Sequence, residues 1–539
     1  MNVDAIVVGA GHNGLVAANL LADAGWDVLV CEAAGEPGGA VRSAEVTAPG
    51  FVTDLGSGFY PMAAASPVLA GLDLASYGLA WRRAPLVLAH VSGERAVSIS
   101  PDVAGTAASL DAVSPGDGAA WERAYQHWLG LREQVLGALF TPFPPVRAGA
   151  RLARLLGVPD LLRLVRFGLL SVRRYGAEEF PGSAAAALLA GLTLHTDLGP
   201  DQAGGAIFAW LLAMLGQEVG FPAPEGGAGK LTAALVTRLG KAGGELRCGA
   251  PVERVVVSGG RAVGVRLAGG ELLTARRAVL ADVAAPTLYG AMLPPSALPA
   301  RLLDDLRRFE WDHATVKVNW ALSGPVPWLA EQARRAGTVH VAGDLAAMAE
   351  YSAALAGGRL PIAPYLVVGQ TTTTDPTRSP AGTESLWAYT HVPRTHAPGT
   401  HGPPGGWTAE RVNAQVERMA AAIEAAAPGF GDLVLARHMQ GPPELAAMDA
   451  NLDQGATNAG TAGIHQQLVF RPLPGLGRAD TPVDRLYLAG ASAHPGGGVH
   501  GGPGANAARA ALARAARTGP LYAAGIRAAH RLVHGRDRP

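Results

Sequence analysis

Three glycines near the start of the chain have the spacing G-x-G-x-x-G: Gly9, Gly11 and Gly14. They follow the apolar run 3–8, which predicts a strand buried in a parallel sheet, and they open the helical pattern of 13–24. Such glycines allow a tight turn, a close approach of the backbone to a pyrophosphate, and packing of the helix on the strand. The positive end of the helix would face the phosphates. The spacing therefore predicts a dinucleotide-binding loop that includes His12 and Asn13.

An acidic residue, Glu32, closes the second predicted strand, Val28–Cys31. In a dinucleotide site an acid in this place accepts hydrogen bonds from the adenosine ribose, and its charge disfavours a 2′-phosphate. We expect Ala33 beside it to contact the same end of the cofactor. A glycine-rich turn without a ligand is the alternative interpretation. The complete strand, loop, helix, strand and acid argue against that alternative.

A second glycine pair, Gly38 and Gly39, follows Glu32 and precedes Arg42. Alone, the pair is also typical of a plain turn. After a ribose-binding acid it resembles the large FAD flavoprotein superfamily that includes amine oxidases and phytoene desaturases, whereas dehydrogenases that use only NAD do not usually carry it. The resemblance implies that the glycine pair lets the chain pass close to the cofactor, and that Arg42 lies near the pyrophosphate.

A glycine-rich run at 490–503 follows a short predicted strand and precedes a helix predicted from about residue 505. Such a run lets the backbone lie against a large flat ligand and offers N–H groups to it. The expected cofactor contacts in this segment are Gly490, Ala491, Gly497, Gly498 and Val499. His494 abuts the run and is our candidate for a catalytic general base. The alternative is that His494 only shapes the turn.

The string 486–499 is similar to the C-terminal signature of the phytoene desaturase and carotenoid isomerase branch of flavoproteins. Segments 51–56, 224–227 and 467–472 resemble the same branch. The resemblance thus reaches both ends and the middle of the chain, and it implies that the cofactor is FAD. It also implies an α/β fold, in which a discontinuous Rossmann-type FAD-binding domain carries an inserted mixed α/β substrate domain.

The implied FAD-binding domain comprises 1–80, 222–290 and 440–539. The implied substrate domain comprises 81–221 and 291–439, with a helical part at about 115–220. A β segment over 249–280 would return the chain to the FAD-binding domain, where Val252 is expected to contact the adenine.

The resemblance implies an FAD-dependent dehydrogenase that abstracts a hydride from a hydrophobic substrate and leaves a C=C bond. The substrate would be carotenoid-like, a lipid or a natural product, and the electron acceptor stays open between O2 and a quinone. Two alternatives stay open: a redox-neutral flavin-dependent cis–trans isomerase, and a non-catalytic lipid or prenyl carrier such as the Rab GDP-dissociation inhibitors. The intact glycine loop argues against a carrier without cofactor. Relatives of this kind are often bacterial, and at 58–60, where many have a histidine, this chain has Gly-Phe-Tyr.

Composition excludes several other classes of function. Lys+Arg and Asp+Glu both number 44, so the net charge is zero and a globally basic nucleic-acid binder is not expected. The only two cysteines, Cys31 and Cys248, form no disulfide framework, which favours a cytoplasmic protein. The histidines show no metal spacing, and His396 and His401 lie in a Pro/Gly loop, so we expect no metal. The oligomeric state stays open.

Residues 147–174 carry seven arginines and one acid among many leucines. A basic amphipathic helix of this kind can lie on an anionic membrane surface, so peripheral membrane contact is one hypothesis. An ordinary helical face covering the substrate domain is the alternative.

Lys317 lies in the middle of the strand predicted over 313–322. Some related flavin oxidases place a lysine beside the flavin N5, but the phytoene desaturase branch does not generally rely on one. We therefore expect Lys317 on an exposed strand face.

Overall fold

The computed structural model describes residues 2–395 and 406–535. In these ranges the strands are β1 (Asn2–Val8), β2 (Val28–Cys31), β3 (Ser43–Ala44), β4 (Thr53–Asp54), β5 (Trp81–Arg82), β6 (Leu86–Ser92), β7 (Arg95–Ile99), β8 (Ala223–Pro224), β9 (Glu245–Arg247), β10 (Val252–Ser258), β11 (Arg261–Leu267), β12 (Leu272–Ala281), β13 (Ala314–Leu322), β14 (Ala336–Val341), β15 (Leu366–Gln370), β16 (Glu384–Val392), β17 (Val434–Gln440) and β18 (Leu486–Leu488).

The helices in the same ranges are α1 (His12–Asp23), α2 (Pro61–Ala65), α3 (Pro67–Ala70), α4 (Val103–Asp111), α5 (Asp117–Leu139), α6 (Val146–Phe167), α7 (Val172–Glu179), α8 (Ala184–Thr193), α9 (Gly205–Val219), α10 (Gly229–Lys241), α11 (Ala285–Thr287), α12 (Ala300–Leu306), α13 (Glu331–Arg335), α14 (Leu345–Ala356), α15 (Thr371–Thr374), α16 (Ala409–Ala426), α17 (Pro442–Met448), α18 (Gly502–Ala515) and α19 (Gly519–His534). In this part of the chain, none of the helices is both long and apolar enough to cross a membrane.

The first sheet has seven strands in the order β10-β11-β12-β1-β2-β9, with β18 beside the second half of β12. Strands β12, β1, β2, β9 and β18 are parallel, and six of the seven residues of β1 are buried. Helices α1, α10 and α18 cover one face with apolar side chains. This explains the uninterrupted apolar runs of β1 and β2, because a parallel strand is buried on both of its faces.

The second sheet also has seven strands, in the order β17-β13-β16-β15-β14-β6-β7. Its pairs are antiparallel except for β14 with β6. Helices α8, α9 and α14 pack on one face, and α13 and α16 pack on the other. Because both faces are covered, all nine residues of the inner strand β13 are buried.

The strands predicted over 3–8, 28–31 and 313–322 have counterparts in β1, β2 and β13, and the helix predicted over 13–24 has its counterpart in α1. The Pro/Gly loop predicted around His396 and His401 falls in the part of the chain outside the described residues. Strand β17 escapes prediction because Arg437 and His438 interrupt its apolar pattern. All strands of the first sheet lie in the segments proposed for the FAD-binding domain. The strands of the second sheet lie in the segments proposed for the substrate domain, and the last residue of β17, Gln440, lies on the proposed boundary. The two-domain division itself stays a proposal.

A buried ion pair joins β4 to the connection between β15 and β16. Asp54 Oδ1 lies 2.9 Å from Nη2 of Arg378, and neither side chain is more than 1 % exposed. Arg378 also donates through Nε and Nη2 to the carbonyl oxygen of Val52, at 3.1 and 3.0 Å. The same Asp54 oxygen accepts from the hydroxyl of Ser43 and from the N–H of Ala228. Asp54 therefore connects the N-terminal segment, the turn before α10 and the second sheet.

Replacing Arg378 with methionine should destabilise the protein by about 3–5 kcal/mol, because it leaves the Asp54 carboxylate buried without its cation. Urea denaturation followed by tryptophan fluorescence measures the free energy of unfolding. The matched control is Arg307→Met, which removes an exposed pair with Asp304 and should cost less than about 1 kcal/mol. Equal losses in the two variants would contradict the structural role of the buried pair.

Candidate functional site

The predicted dinucleotide loop connects β1 to α1. Gly9 takes a positive φ of 93°, which few side-chain-bearing residues adopt, and its N–H donates to the carbonyl oxygen of Cys31 at 2.8 Å. A Cβ on Gly14 would lie 2.2 Å from the carbonyl oxygen of Gly9, so only glycine lets the helix begin this close to the strand. The tight turn and close packing predicted from the spacing are both present.

A carboxyl that the sequence analysis did not single out, Asp282, lies against this loop. It follows β12 directly, and its Oδ2 accepts the N–H of Gly14 at 2.8 Å. The N-cap residue of α1, Gly11, has no side chain that could cap the helix. Asp282, which follows β12, caps the helix instead. A Cβ on Gly11 would lie 2.8 Å from the same carboxyl oxygen. The absence of a side chain at Gly11 thus also makes room for Asp282.

Burial raises the pKa of Asp282 to about 8, with a further contribution from the negative charges of Asp449 and Glu32. Burial also raises the pKa of Asp449. Asp282 is therefore mostly protonated at neutral pH, and it can sit beside phosphate groups without adding a negative charge. The sequence did carry a signal for it, since Asp282 ends a buried apolar strand just as Glu32 does.

Glu32 lies between the loop and the turn that follows β2. Its Oε2 accepts the N–H of Ala10 at 2.6 Å and its Oε1 accepts the N–H of Ala34 at 2.8 Å. Each oxygen keeps a second lone pair, so the carboxylate can still accept from ribose hydroxyls. The carbonyl oxygen of Glu32 accepts the N–H of Ala250 at 2.8 Å, which brings Val252 to this end of the site. Ala33, the neighbour of Glu32, is exposed.

The second glycine pair packs on the dinucleotide loop. The N–H of Gly38 donates to the carbonyl oxygen of Ala10 at 2.9 Å, and Gly39 takes a positive φ of 54°. Arg42 donates from Nε to the carbonyl oxygen of Gly39 at 3.0 Å and from Nη2 to that of Met448 at 2.9 Å. Arg42 therefore ties the glycine pair to the C-terminal part of the chain.

The C-terminal glycine run closes over the start of α1. His12 Nε2 lies 3.2 Å from the carbonyl oxygen of Gly498, which is 486 positions away in the sequence. A Cβ on Gly504 would lie 1.9 Å from the carbonyl oxygen of Asn13. The tertiary structure thus brings together the two segments that the sequence analysis assigned to one cofactor.

Other residues of the run are held by the protein itself. Gly490 lies against the backbone of Val283, and the carbonyl oxygen of Ala491 accepts Nη2 of Arg471 at 2.8 Å. Val499 packs on the core around α1. A Cβ on Gly497 would lie 2.7 Å from Asn458 Oδ1. A larger residue at Gly497 would therefore first displace Asn458.

Three buried polar atoms near the dinucleotide loop and the glycine run have no hydrogen-bond partner in the described residues: Asn13 Oδ1, Asn458 Nδ2 and His494 Nε2. An unsatisfied buried polar group costs about 1–3 kcal/mol, so such groups usually have a partner in the functional state. Together with the positive end of α1 and the glycine backbone, they fit an elongated ligand with polar groups along its length. The residues present therefore fit FAD.

His494 is buried at this junction, with its ring 6.0 Å from that of Phe143. Burial and the positive charge of Arg471 lower the pKa of His494 to about 4. The imidazole is neutral at pH 7 and is a weak base there. Its role as a catalytic base stays a prediction.

The expectation that Lys317 lies on an exposed strand face is wrong. Lys317 is buried on β13, and its Nζ donates to the carbonyl oxygen of Asp54 at 2.6 Å and to Oδ1 of Asn319. Burial lowers the pKa of Lys317 to about 7. The error arises because β13 is an inner strand with helices on both faces, which the sequence of one strand does not reveal.

Within residues 2–395 and 406–535, no group of three or more His, Cys, Asp or Glu side chains is arranged to hold a metal ion. His396 and His401 lie outside the described residues.

The sequence profile described as "Flavin containing amine oxidoreductase" matches residues 14–391. The chain belongs to this family. It is 28% identical over 552 residues to "Pyridine nucleotide-disulfide oxidoreductase domain-containing protein 2" of Mus musculus, covering 94% of this chain and 92% of the relative. It is 27% identical over 514 residues to the "zeta-carotene-forming phytoene desaturase" of Myxococcus xanthus, covering 92% and 90%. A solved oxidoreductase from Methanosarcina mazei superposes with a TM-score of 0.61 at 16% identity, covering 95% and 100%.

These similarities confirm several predictions. The protein is an FAD-dependent oxidoreductase of the phytoene desaturase-like branch, and its fold is the predicted α/β fold with a Rossmann-type FAD-binding domain. The individual cofactor contacts stay predictions.

Glu32→Ala should weaken FAD binding about ten- to a hundredfold, because a charge-assisted hydrogen bond to the cofactor contributes about 1.5–3 kcal/mol. The FAD retained after dialysis measures this loss. Glu32→Gln is the matched control, since it keeps one oxygen acceptor and should lose less. Retention of FAD by Glu32→Ala at the wild-type level would show that Glu32 does not bind the cofactor.

Asp282 should make stability depend on pH. Its pKa is raised from 3.8 to about 8 in the folded protein, so its stabilising contribution is complete at acidic pH and is lost as the pH rises through 8. Asp282→Asn should remove this dependence. Between about pH 6 and 8, the free energy of unfolding of flavin-free wild type should fall by about 1–3 kcal/mol relative to the variant. Parallel pH profiles would refute the buried, protonated state of Asp282.

Proposed function

We propose that the protein desaturates a hydrophobic substrate, of carotenoid-like, lipid or natural-product class, by abstraction of a hydride and formation of a C=C bond. The observation that carries this proposal is an aromatic wall formed by Phe59, Trp387 and Tyr389. The rings of Phe59 and Trp387 lie 5.7 Å apart, and those of Trp387 and Tyr389 are stacked at 6.1 Å. Trp387 is buried and Phe59 and Tyr389 are half-buried, so the wall would present apolar, flat surface to a substrate mainly through the rings of Phe59 and Tyr389.

A series of close packing contacts connects the dinucleotide loop to this wall. A Cβ on Gly39 would lie 3.5 Å from the Cα of Gly11, and one on Gly56 would lie 2.5 Å from the carbonyl oxygen of Ala40. Two residues later Gly58 packs on the Trp387 ring, from which its Cβ would be 2.9 Å distant. The wall is therefore a suitable substrate end for the cofactor site, in the segment where many relatives have a histidine.

Several histidines of the neighbouring interior are neutral at neutral pH. Burial lowers the pKa of His90 and His391 to about 4 and that of His195 to about 3, and it lowers the pKa of His340 as well. Nε2 of His195 and Nε2 of His340 are 2.7 Å apart, which is compatible with one neutral ring donating to the other. Neutral imidazoles and aromatic rings would solvate an apolar substrate better than a charged one.

Desaturation removes a hydride from one carbon and a proton from its neighbour. FAD, when bound, accepts hydrides. The protein's own residues would orient the substrate along the aromatic wall and exclude water from the reacting carbons. His494 is the proposed acceptor of the proton, because its pKa of about 4 keeps the imidazole neutral and leaves one ring nitrogen able to accept.

The decisive experiment is anaerobic mixing of the purified holoenzyme with a carotenoid-type polyene, a short isoprenoid and an unsaturated fatty acid, each in detergent micelles. We expect one class to bleach the flavin absorbance and to give a product lighter by one hydride and one proton. A rearranged product of unchanged mass would indicate the isomerase. Reduction by primary amines alone would replace the proposal with an amine oxidase.

Trp387→Ala should slow flavin reduction by that substrate about tenfold or more while FAD stays bound, because the substrate loses the surface that orients it. Trp387→Phe keeps a flat ring and is the matched control. Stopped-flow flavin reduction, flavin content and melting temperature separate the effect on orientation from an effect on folding. An unchanged reduction rate in a folded Trp387→Ala variant would contradict this placement of the substrate.

A further inference from the structure

The unsatisfied buried polar atoms of the second sheet lie on one of its two faces. In the described strands of this sheet, the buried side-chain atoms without a hydrogen-bond partner are Thr315 Oγ1, Thr338 Oγ1, Trp387 Nε1, His391 Nδ1 and His90 Nε2. The strand register pairs Thr315 with His391. It also pairs Gly369 with both Trp387 and Thr338, and it pairs His340 with His90. Paired residues share a face, as do residues two positions apart, so all five atoms belong to the face that α8, α9 and α14 cover.

On this face the aromatic wall ends in an imidazole. Trp387, Tyr389 and His391 alternate along β16, so their side chains lie on the same face of the sheet. The ring of His391 lies 5.6 Å from that of Tyr389, which is itself stacked on Trp387. An apolar substrate that lies along the wall would therefore bring one of its ends to His391.

His391 offers a hydrogen-bond acceptor that the protein does not use. Its Nε2 lies 3.2 Å from the carbonyl oxygen of Leu194. Burial lowers the pKa of His391 to about 4, so the ring is neutral at pH 7 and carries one hydrogen. A carbonyl oxygen can only accept, so that hydrogen is on Nε2, and Nδ1 keeps a free lone pair. The backbone N–H of His391 donates to the hydroxyl of Tyr351 at 2.9 Å, so the strand is also fixed at this point.

The hydroxyl of Thr315 lies on the neighbouring strand, directly opposite His391. The two residues are register partners of β13 and β16, and their side chains are only 3% and 2% exposed. Thr315 Oγ1 and His391 Nδ1 do not bond to each other or to any other described atom with acceptable geometry. A buried polar group without a partner costs about 1–3 kcal/mol, so two such groups side by side indicate a shared partner in the functional state.

We propose that Thr315 and His391 bind a hydroxyl group at one end of the apolar substrate. A hydroxyl donates one hydrogen bond and accepts others, so it can donate to His391 Nδ1 and accept from Thr315 Oγ1. The proposal rests on the proposed function, because it assumes that an apolar substrate lies along the aromatic wall. Binding one end of the substrate would fix which of its carbon atoms reach the cofactor.

Other polar end groups fit this pair of residues less well. A carbonyl or ether oxygen only accepts, so it would leave His391 Nδ1 unsatisfied. A carboxylate also lacks a donor, and it would meet the negative charge of Asp197, which acts on the His391 ring. A protonated amine could donate to both residues, but its charge would have to be buried. The neutral hydroxyl is the group that satisfies both atoms without a buried charge.

The test compares geranylgeraniol, the hydrocarbon with the same carbon skeleton and the corresponding primary amine, each in detergent micelles. Binding to the holoenzyme is measured by tryptophan fluorescence, since Trp387 lies in the wall. We expect the alcohol to bind about tenfold or more tightly than the hydrocarbon.

Thr315→Val keeps the shape of the side chain and removes its hydroxyl. It should weaken binding of the alcohol about three- to tenfold and leave binding of the hydrocarbon unchanged. The melting temperature should not fall, because the lost hydroxyl has no partner in the protein. His391→Phe keeps a flat ring without the acceptor and should reduce the preference for the alcohol as well.

The matched control is Thr338→Val on β14. Thr338 is 1% exposed, its hydroxyl is also unsatisfied, and it lies on the same face, but its register partner on β15 is Gly369, which has no side chain. This variant should keep the wild-type preference for the alcohol.

Equal binding of alcohol and hydrocarbon by wild type, or an unchanged preference in Thr315→Val, would overturn the proposal and leave an ordered water as the partner of the two residues. Tighter binding of the amine than of the alcohol would also overturn it. Anaerobic flavin reduction is recorded separately. Preferential binding of the alcohol without flavin reduction by any of the ligands would contradict the proposed function and keep the hydroxyl site. Flavin reduction by the alcohol and the hydrocarbon without a preference in binding would do the reverse.

Discussion

The hydrogen bond from the N–H of Gly14 to the buried carboxyl of Asp282 is the contact on which the cofactor site depends. It fixes the start of α1 against the end of β12, and both Gly9 and Gly11 pack on the same side chain. A carboxyl in this place is stable in the folded protein because burial raises its pKa, so that it stays mostly neutral. The positive end of the helix is thereby held in position without introducing a full negative charge beside the phosphate-binding loop.

Close backbone contacts then join the distant parts of the chain around this point. Gly504 lets α18 approach the carbonyl oxygen of Asn13, and Arg42 connects the glycine pair to Met448. The buried pair of Asp54 and Arg378 couples the same N-terminal segment to the second sheet. The site is therefore assembled from three stretches of sequence, each of which is positioned by a contact with another stretch.

The proposed substrate domain has neutral histidines in its interior and exposed apolar side chains on its exterior. Inside, burial keeps the histidines neutral beside the aromatic wall, and even Lys317 has a pKa of about 7. On the exterior, helix α6 exposes apolar side chains such as Val158 and Leu162 to solvent. Neutral imidazoles and aromatic rings in the interior suit an apolar substrate.

The glycine spacing and the uninterrupted apolar strands were enough to indicate the dinucleotide loop, because they reflect local rules of backbone geometry and burial. FAD and the α/β fold with an inserted domain followed from the resemblance of the glycine pair and the C-terminal string to known flavoproteins. It also indicated Glu32, since an acid at the end of a buried strand is a local pattern. Only the tertiary structure revealed Asp282 as the cap of α1, the burial of Lys317 and the pairing of Asp54 with Arg378. Those features depend on contacts between residues more than two hundred positions apart, and no local pattern of hydrophobicity or spacing records which distant segment will cover a given side chain.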